Sequence, residues 1–243
     1  MDSAAATKRK QYKKLLESKD ILIGPGVYDG FSARLVEHLG FESGFISGAG
    51  LSESALGMSD VGVMGLEENL SRSRAMVNCT TIPLQADADT GYGNAVNVHF
   101  TVKQFEQSGV SGIMIEDQVW PKRCGHMKGK NVISREEATQ KIRSAVEARE
   151  DPNFVIMSRT DSFATDGINE VINRLKAFES VGADLLFADA LLSLKDMEKV
   201  VSSVSKPLAI NMGFGIRSRS TTPLISAQEL ESIGISAVIY PKF

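Results

Sequence analysis

The chain has 243 residues, 42% of them hydrophobic, which is enough to bury a sizeable core in one large domain. Its net charge of −3 comes from interspersed acidic and basic residues, so no basic patch predicts binding to nucleic acid. There is no apolar signal segment, and no run approaches the ~20 apolar residues of a membrane span. We therefore expect a cytoplasmic protein, with a mitochondrial location left open.

A strand, a polar or glycine-rich turn and an amphipathic helix recur along the chain, after a short N-terminal helix. Strands are predicted at Ile21–Val27, Ser43–Ser47, Ile82–Ala86, Gly112–Glu116, Phe154–Ser158, Asp184–Ala188, Pro207–Asn211 and Ala237–Tyr240. Helices are predicted between them at Gly30–Leu39, Leu66–Val77, Val98–Gln107, Arg135–Arg149, Ile168–Ser180, Leu194–Ser203 and Ala227–Ser232. The strands are continuously apolar, which is typical of parallel strands buried on both faces.

Eight such units predict an α/β fold, a (β/α)₈ TIM-type barrel that occupies residues 1–243 as one domain. An open doubly wound sheet is the alternative, but eight strands without a GxGxxG turn after the first favour the barrel. The sequence ends at Phe243, directly after the eighth strand, so the barrel is expected to lack its C-terminal helices. Either a neighbouring subunit covers the surface left open, or the chain is a truncated product.

Polar residues stand at the C-terminal ends of nearly all the predicted strands, where barrel enzymes place their chemistry. Asp87 and Asp89 follow the third strand, Glu116 ends the fourth, and Asp60 lies in the loop after the second. Carboxylates gathered around one point repel each other unless a cation is present, and oxygen ligands suit Mg²⁺ or Mn²⁺. The alternative for the two aspartates is an Asx-rich turn.

Two further strand ends carry groups that would bind carboxylates. Arg159 is suited to bidentate binding of a carboxylate, and the alternative is a salt bridge to Asp161 or to another acid at the barrel rim. The turn Ser47–Gly50 offers backbone N–H groups for a second carboxylate, or it is a plain turn. The sixth and seventh strands end in Asp189 and Asn211, which add polar groups at the same end of the barrel.

Cys124 lies in a loop that is basic, polar and glycine-containing. Its neighbours in sequence include Lys122, Arg123, His126, Lys128 and Lys130. Cations stabilise a thiolate, so this sequence predicts a lowered pKa and a reactive thiol, whereas the alternative is a small buried hydrophobic residue. Cys79 has no such cluster of charge and is expected to be structural.

Together these groups predict a metal-dependent cleavage of a carbon–carbon bond in a 2-hydroxy or hydrated 2-oxo dicarboxylate. The metal would stabilise the charge of an enolate-like fragment, and Cys124 would donate a proton to it. The base that removes the substrate hydroxyl proton stays open among Tyr28, Tyr92 and a metal-bound water.

The segment Lys122–His126 resembles the KKCGH/KRCGH signature of the isocitrate lyase and phosphoenolpyruvate mutase superfamily. The resemblance extends over nearly the whole chain, through the motifs Pro25–Asp29, Asp87–Gly93, Glu116–Gln118, Arg159–Asp161 and Asn211. It implies a (β/α)₈ barrel that requires Mg²⁺ or Mn²⁺ and forms a homotetramer whose last helices pack on a partner subunit. A catalytic cysteine implies the lyase branch, because the phosphonate-forming mutases lack it.

The resemblance also implies roles for particular residues. Asp87 is expected to bind the metal directly, with Asp89, Asp60 and Glu116 assisting through waters, and Cys124 is expected to be the catalytic acid, acting with Arg159. The residues expected to bind the substrate are Tyr28, Ser47, Gly48, Ala49, Gly125, His126, Arg159, Asp189, Asn211 and Gly213.

This chain departs from the family pattern at two places. Family members usually have Glu at the position of Asp189. The segment Gly213–Pro223 is longer and more basic than usual, which would suit another anionic group on the substrate; the alternative is a solvated loop. The expected partner is therefore a small dicarboxylate. Three alternatives stay open: an oxaloacetate hydrolase or decarboxylase, a carboxyphosphonoenolpyruvate or phosphoenolpyruvate mutase, and a subunit without enzyme activity.

Overall fold

In a computed structural model, which describes residues 3–125, 127–213 and 222–241, eight parallel strands close into a barrel. Each strand pairs with the next one in the chain, and β8 closes the barrel by pairing with β1, with Leu22 opposite Ala237. This confirms the predicted (β/α)₈ fold. The strands are β1 Leu22–Val27, β2 Gly44–Ile46, β3 Leu84–Asp87, β4 Gly112–Glu116, β5 Val155–Thr160, β6 Leu185–Ala188, β7 Leu208–Asn211 and β8 Ala237–Tyr240.

Helices surround the barrel, and local sequence signals mark where several of them begin and end. Asp29 and Asn94 cap helix N-termini with their side chains, as Asp and Asn commonly do, and Gly109 ends a helix in the left-handed conformation with φ 93°. The helices are α1 Ala4–Leu16, α2 Gly30–His38, α3 Gly48–Leu51, α4 Leu66–Cys79, α5 Ala95–Ser108, α6 Arg135–Ala148, α7 Phe163–Asp166, α8 Ile168–Ser180, α9 Leu194–Val201 and α10 Ala227–Ser232.

The predicted elements are all present, with ends that differ by up to three residues. The short helices α3 and α7, and a π-helical turn at Ser52–Leu56, were not predicted. Each is too short to show a helical hydrophobic period, which is the signal that the sequence offers. Among the described residues, no helix is both long and apolar enough to cross a membrane.

The N-terminal helix α1 lies across the N-terminal end of the barrel. Tyr12 enters the inner core, and its hydroxyl donates to Gln85 Oε1 at 2.6 Å. Lys8 donates to the Thr80 carbonyl, just before β3, and Arg9 donates to the Val110 carbonyl, just before β4. Because this end is closed by α1, the opposite, C-terminal end is the one that can receive a ligand.

Candidate active site

A pocket opens at the C-terminal end of the barrel, with about 560 Å³ of empty space including space open to solvent. Its apolar lining comes mainly from residues of the inner barrel core: Phe45, Met114, Phe187 and Ile239, with Pro241 at the edge. Its remaining lining consists of residues that the sequence singled out: Ser47, Ala49, Asp60, Asp87, Cys124, Gly125, Arg159 and Asn211. Eight of the predicted site residues therefore meet in one pocket.

The predicted carboxylate cluster is present, and a lysine ammonium lies within it. Lys122 Nζ is 2.6 Å from Asp60 Oδ1 and 2.7 Å from Asp89 Oδ1. Burial alone would lower the pKa of Lys122, but the surrounding carboxylates, Asp89 and Glu116 foremost, raise it well above its usual range. Burial raises the pKa of Asp87 to about 6, with Asp89 and Asp60 adding repulsion and Lys122 partly offsetting it. The cluster is therefore short of positive charge.

The same cluster has oxygen atoms that suit a divalent cation. Both carboxylate oxygens of Glu116 are buried and accept no hydrogen bond within the described residues, and burial raises the pKa of this group well above its usual range. Asp87 faces the pocket, and among the described residues the Asp89 backbone N–H is the one donor to its Oδ1, at 3.0 Å. These all-oxygen donors fit Mg²⁺ or Mn²⁺. Within the described chain, however, no three His, Cys, Asp or Glu side chains already form a metal-binding group.

The turn Ser47–Gly50 is the start of α3. Ser47 caps this helix, and its Oγ accepts from the Gly50 N–H at 3.0 Å. A Cβ placed on Gly48 would lie 2.8 Å from Asp87 Oδ2, so the backbone at this position packs directly against the carboxylate. The lack of a side chain at Gly48 therefore leaves room for the Asp87 carboxylate, while Ser47 and Ala49 line the pocket.

Arg159 is buried at the end of β5 and forms ion pairs on three sides. Its Nε and one terminal nitrogen donate to Asp161 at 2.8 and 3.0 Å, and the same terminal nitrogen donates to Asp189 at 2.9 Å. Glu116 Oε2 lies 3.3 Å from Nε. The predicted alternative of a salt bridge to Asp161 is therefore realised, and Arg159 lines the pocket as well. Burial would raise the pKa of Asp161, but Arg159 and Lys130 hold it well below its usual range.

Asp189 does not project freely into the pocket. Besides its pair with Arg159, its Oδ1 accepts from Asn211 Nδ2 at 2.8 Å. The next residue, Ala190, has φ 57°, and Asp89 and Tyr92 also have positive φ values of 48° and 59°. Non-glycine residues in this conformation are strained and cluster at functional sites. All three strained residues of the described chain lie in loops at the C-terminal end of the barrel.

The cysteine loop, residues 118–131, carries the half-buried Cys124 to the pocket. Gln118 fixes the loop at two points, accepting from the Arg123 N–H at 3.0 Å and donating to the Arg123 carbonyl at 2.8 Å. For two of the five cations that were predicted around the thiol, the structure shows the carboxylate partners. The ammonium groups of Lys122 and Lys130 are bound to carboxylates, which neutralise their charge, because the side chains turn into the protein instead of toward solvent.

Other predicted residues lie outside the pocket lining. Tyr28 is half-buried and its ring packs beside Gly50, and Gly213 follows β7. Tyr92 accepts from Asn69 Nδ2 at 2.9 Å, and burial raises the pKa of its hydroxyl well above the usual range, which disfavours it as a base. His126 and the basic loop at 214–221 lie outside the described residues.

Some residues of the site were not predicted in their observed roles. Lys122 was read as a neighbour of the thiol and binds the carboxylates instead, while Lys130 binds Asp161. Asn69 in α4 donates to both the Asp87 carbonyl and Tyr92, at 2.8 and 2.9 Å. No local pattern marks Asn69, since its partners lie on other elements. The two lysines lie in the basic loop that carries the cysteine, so the sequence shows their charge but not their partners.

Comparison with known proteins places these features in a family context. A family model described as phosphoenolpyruvate phosphomutase matches residues 12–243. A 2,3-dimethylmalate lyase from Eubacterium barkeri is 41% identical over 229 residues, which are 94% of this chain and 78% of that protein. A 2-methylisocitrate lyase from Shewanella oneidensis is 40% identical over 228 residues, or 93% of this chain and 76% of that protein.

Solved structures agree with these relatives. An oxaloacetate acetylhydrolase in complex with 3,3-difluorooxalacetate is 35% identical, with a TM-score of 0.92 over 97% of this chain and 80% of that one. A phosphonopyruvate hydrolase in complex with oxalate and Mg²⁺ is 29% identical, with a TM-score of 0.84 over 97% of this chain and 80% of that one.

Proposed function

We propose that this chain, which belongs to the phosphoenolpyruvate mutase/isocitrate lyase superfamily and is a carbon–carbon lyase, cleaves a small 2-hydroxydicarboxylate to an oxo acid and a carboxylate. A methylisocitrate-like or dimethylmalate-like compound is the proposed substrate. One observation carries this proposal: a thiol, a guanidinium and a buried carboxylate, those of Cys124, Arg159 and Asp87, line a single pocket.

We also propose that the enzyme uses Mg²⁺, or Mn²⁺ in its place, held directly by Asp87 and through waters by Asp60, Asp89 and Glu116. Two observations support this. Neither carboxylate oxygen of Glu116 accepts a hydrogen bond within the described residues, and burial, with repulsion from Asp89 and Asp60, raises the pKa of Asp87 to about 6; a cation would relieve both. When bound, the ion would supply electrostatic stabilisation of the charge that develops on the substrate oxygens.

The chain's own residues would hold the substrate and move its protons. Arg159 and the backbone at Ser47–Ala49 bind carboxylate groups, and Asn211 steadies Asp189 beside Arg159. The bond between the hydroxyl-bearing carbon and its neighbour breaks, and the electron pair goes to the neighbour. The hydroxyl loses its proton to a base, and the Cys124 thiol gives its proton to the carbon that received the electron pair. The base stays open between Tyr28 and a water.

Hydrolysis of oxaloacetate is a second candidate, favoured by the similarity to oxaloacetate acetylhydrolase at a TM-score of 0.92. In both reactions a carbon–carbon bond next to an oxygenated carbon breaks, so the same pocket residues would serve. A phosphonate mutase is disfavoured by the thiol of Cys124 in the pocket. The homotetramer and the cytoplasmic location remain proposals that rest on the family resemblance and on the sequence.

Proton NMR of product mixtures tests the reaction. Purified protein with Mg²⁺ is given 2-methylisocitrate, 2,3-dimethylmalate, isocitrate and oxaloacetate in turn. We expect an oxo acid with a carboxylate from one of the first two, and a loss of about 10²–10⁴-fold in rate for Cys124→Ala, the range of general acid catalysis.

The matched control is Cys79→Ala, which removes the other thiol at the far end of α4 and should keep full activity. If oxaloacetate is the one substrate that reacts, and it gives acetate and oxalate, the protein is an oxaloacetate hydrolase and not a lyase of the proposed kind. Turnover that survives Cys124→Ala would contradict the role of the thiol, whatever the substrate.

A further inference from the structure

Lys130 joins the cysteine loop to the end of β5. Its Nζ donates to the Gly125 carbonyl at 2.6 Å and to Asp161 Oδ1 at 2.9 Å. The side chain is only 2% exposed, and that of Asp161 is fully buried. A buried ammonium needs partners of this kind, since an unpaired charge in the interior is costly. The contact is therefore a fixed part of the cysteine loop as it lies in this structure.

Both acceptors of Lys130 stand next to groups that line the pocket. Gly125 follows Cys124 directly, and Asp161 holds Arg159 through two hydrogen bonds of 2.8 and 3.0 Å. A Cβ on Gly125 would lie 2.4 Å from a terminal nitrogen of Arg159, so the loop backbone already touches the guanidinium. Lys130 thus holds in place the contact between the loop that carries the thiol and the arginine.

We propose that Lys130 is a positioning residue that fixes the Cys124 thiol relative to Arg159, by holding the cysteine loop against Asp161. Without its ammonium group, the loop loses the only side-chain link of the described residues that reaches both Gly125 and Asp161. Arg159 keeps its pairs with Asp161 and Asp189. Carboxylate binding should therefore survive, while the placement of the thiol does not.

Alkylation of the two cysteines tests this directly and requires no substrate. Iodoacetamide is added to wild type, Lys130→Met and Lys128→Met, and modification of Cys124 and Cys79 is followed by mass spectrometry. Lys128 is exposed in the same loop, so its substitution makes the same charge change without touching Asp161 or Gly125. Rates are compared at their high-pH limit, where both thiols are ionised, so that a change in the ionised fraction no longer contributes. The remaining dependence of thiolate reactivity on pKa is weaker, and the Lys128→Met variant controls for it.

We expect iodoacetamide to modify Cys124 at least about fivefold faster in Lys130→Met than in Lys128→Met. The modification rate of Cys79 should stay unchanged, because only the cysteine loop opens locally. Equal rates at Cys124 would overturn the proposal. Equal acceleration at both cysteines would overturn it too, because Lys130 would then support the whole fold. Should Lys130→Met fail to give a cooperative melt, the same comparison is made with Lys130→Gln, which keeps a hydrogen-bond donor.

Steady-state kinetics add a second readout, which rests on the proposed function. A displacement of reacting groups by about 1 Å costs about 100-fold in rate, so kcat of Lys130→Met should fall by about 100-fold while KM changes much less. Lys130→Arg keeps the charge and donors for both oxygens and should recover most of kcat. Absence of turnover in wild type would refute the proposed function alone, since the alkylation result still decides the role of Lys130.

Discussion

Gly125 is the residue at which the cysteine loop meets the Arg159–Asp189 pair. A Cβ at this position would lie 1.7 Å from Asp189 Oδ2 and 2.4 Å from a terminal nitrogen of Arg159, and real Cβ atoms do not approach other atoms so closely. A glycine is therefore required here because any side chain would collide with the Arg159–Asp189 pair, and not because of its backbone conformation. Its hydrogen atom in place of a side chain lets the loop backbone reach the ion pair.

The substitution Gly125→Ala should therefore disrupt the site without unfolding the barrel. The methyl group forces either the loop or the Arg159–Asp189 pair to move, and a shift of this size costs about 100-fold in kcat/KM. Steady-state kinetics with the substrate identified by NMR measure the loss. Gly24→Ala is the control, because a Cβ on this buried glycine meets nothing closer than 3.8 Å and should leave kcat/KM within a fewfold of wild type. Equal activity of the two variants would contradict the close approach.

At the residue scale, the sequence predicted which side chains gather but not which of them bind one another. Asp87 and Arg159 were identified because the barrel brings strand ends together at one face, and Cys124 because of the basic residues around it. The partners of Lys122 depend on the path of a loop, and a long flexible side chain in such a loop leaves no periodic signal in the sequence. Its binding to Asp60 and Asp89 could only be seen in three dimensions.

At the scale of elements, α8 supports the site from outside the barrel. Arg174 donates to Asp117 Oδ2 at 3.0 Å and to Glu170 Oε1 at 3.0 Å. Asp117 in turn accepts from the Asp161 N–H at 2.8 Å and from the Thr160 hydroxyl at 2.6 Å. The helix therefore anchors the chain directly after β4 and the end of β5, next to Glu116 and Arg159.

The substitution Arg174→Met should lower the free energy of unfolding by about 3–5 kcal/mol, because it leaves the buried carboxylate of Asp117 without its cation. Urea denaturation measures this change. Lys176→Met is the control, since Lys176 is exposed on the same helix and its loss should change stability by less than about 0.5 kcal/mol. A similarly small change in the free energy of unfolding of both variants would show that Arg174 does not stabilise the fold through Asp117.

At the scale of the whole molecule, the barrel was predictable because its strands are buried on both faces and its helices end at clear signals. Apolar runs such as Ile113–Ile115 in β4 and glycines such as Gly109 mark these units in the sequence. Helix α3 escaped prediction because Gly48 and Gly50 are poor helix formers. It begins at Ser47, whose side-chain cap compensates for that weakness at the first turn.

The barrel also brings together the carboxylates of β3 and β4, and this has a consequence for the stability of the whole chain. Asp87, Asp89 and Glu116 are buried with raised pKa values, and in each case burial is the largest cause. Folding therefore works against the desolvation of these groups. The positive charges beside them are those of Lys122 and of Arg159, and Arg159 also pairs with Asp161 and Asp189. A ligand that binds only the folded protein stabilises it by mass action.

We therefore expect Mg²⁺ at about 100 times its dissociation constant to stabilise the protein by about 2.7 kcal/mol, which raises Tm by about 5–10 °C for a chain of this size. Thermal melting with Mg²⁺ and with EDTA measures the shift. Asp87→Asn should abolish it, because this variant removes the carboxylate that faces the pocket. Asp20→Asn makes the same chemical change at an exposed position before β1 and should keep the full shift. An equal shift in all three proteins would mean that the cation binds elsewhere, and no shift in wild type would contradict the metal site itself.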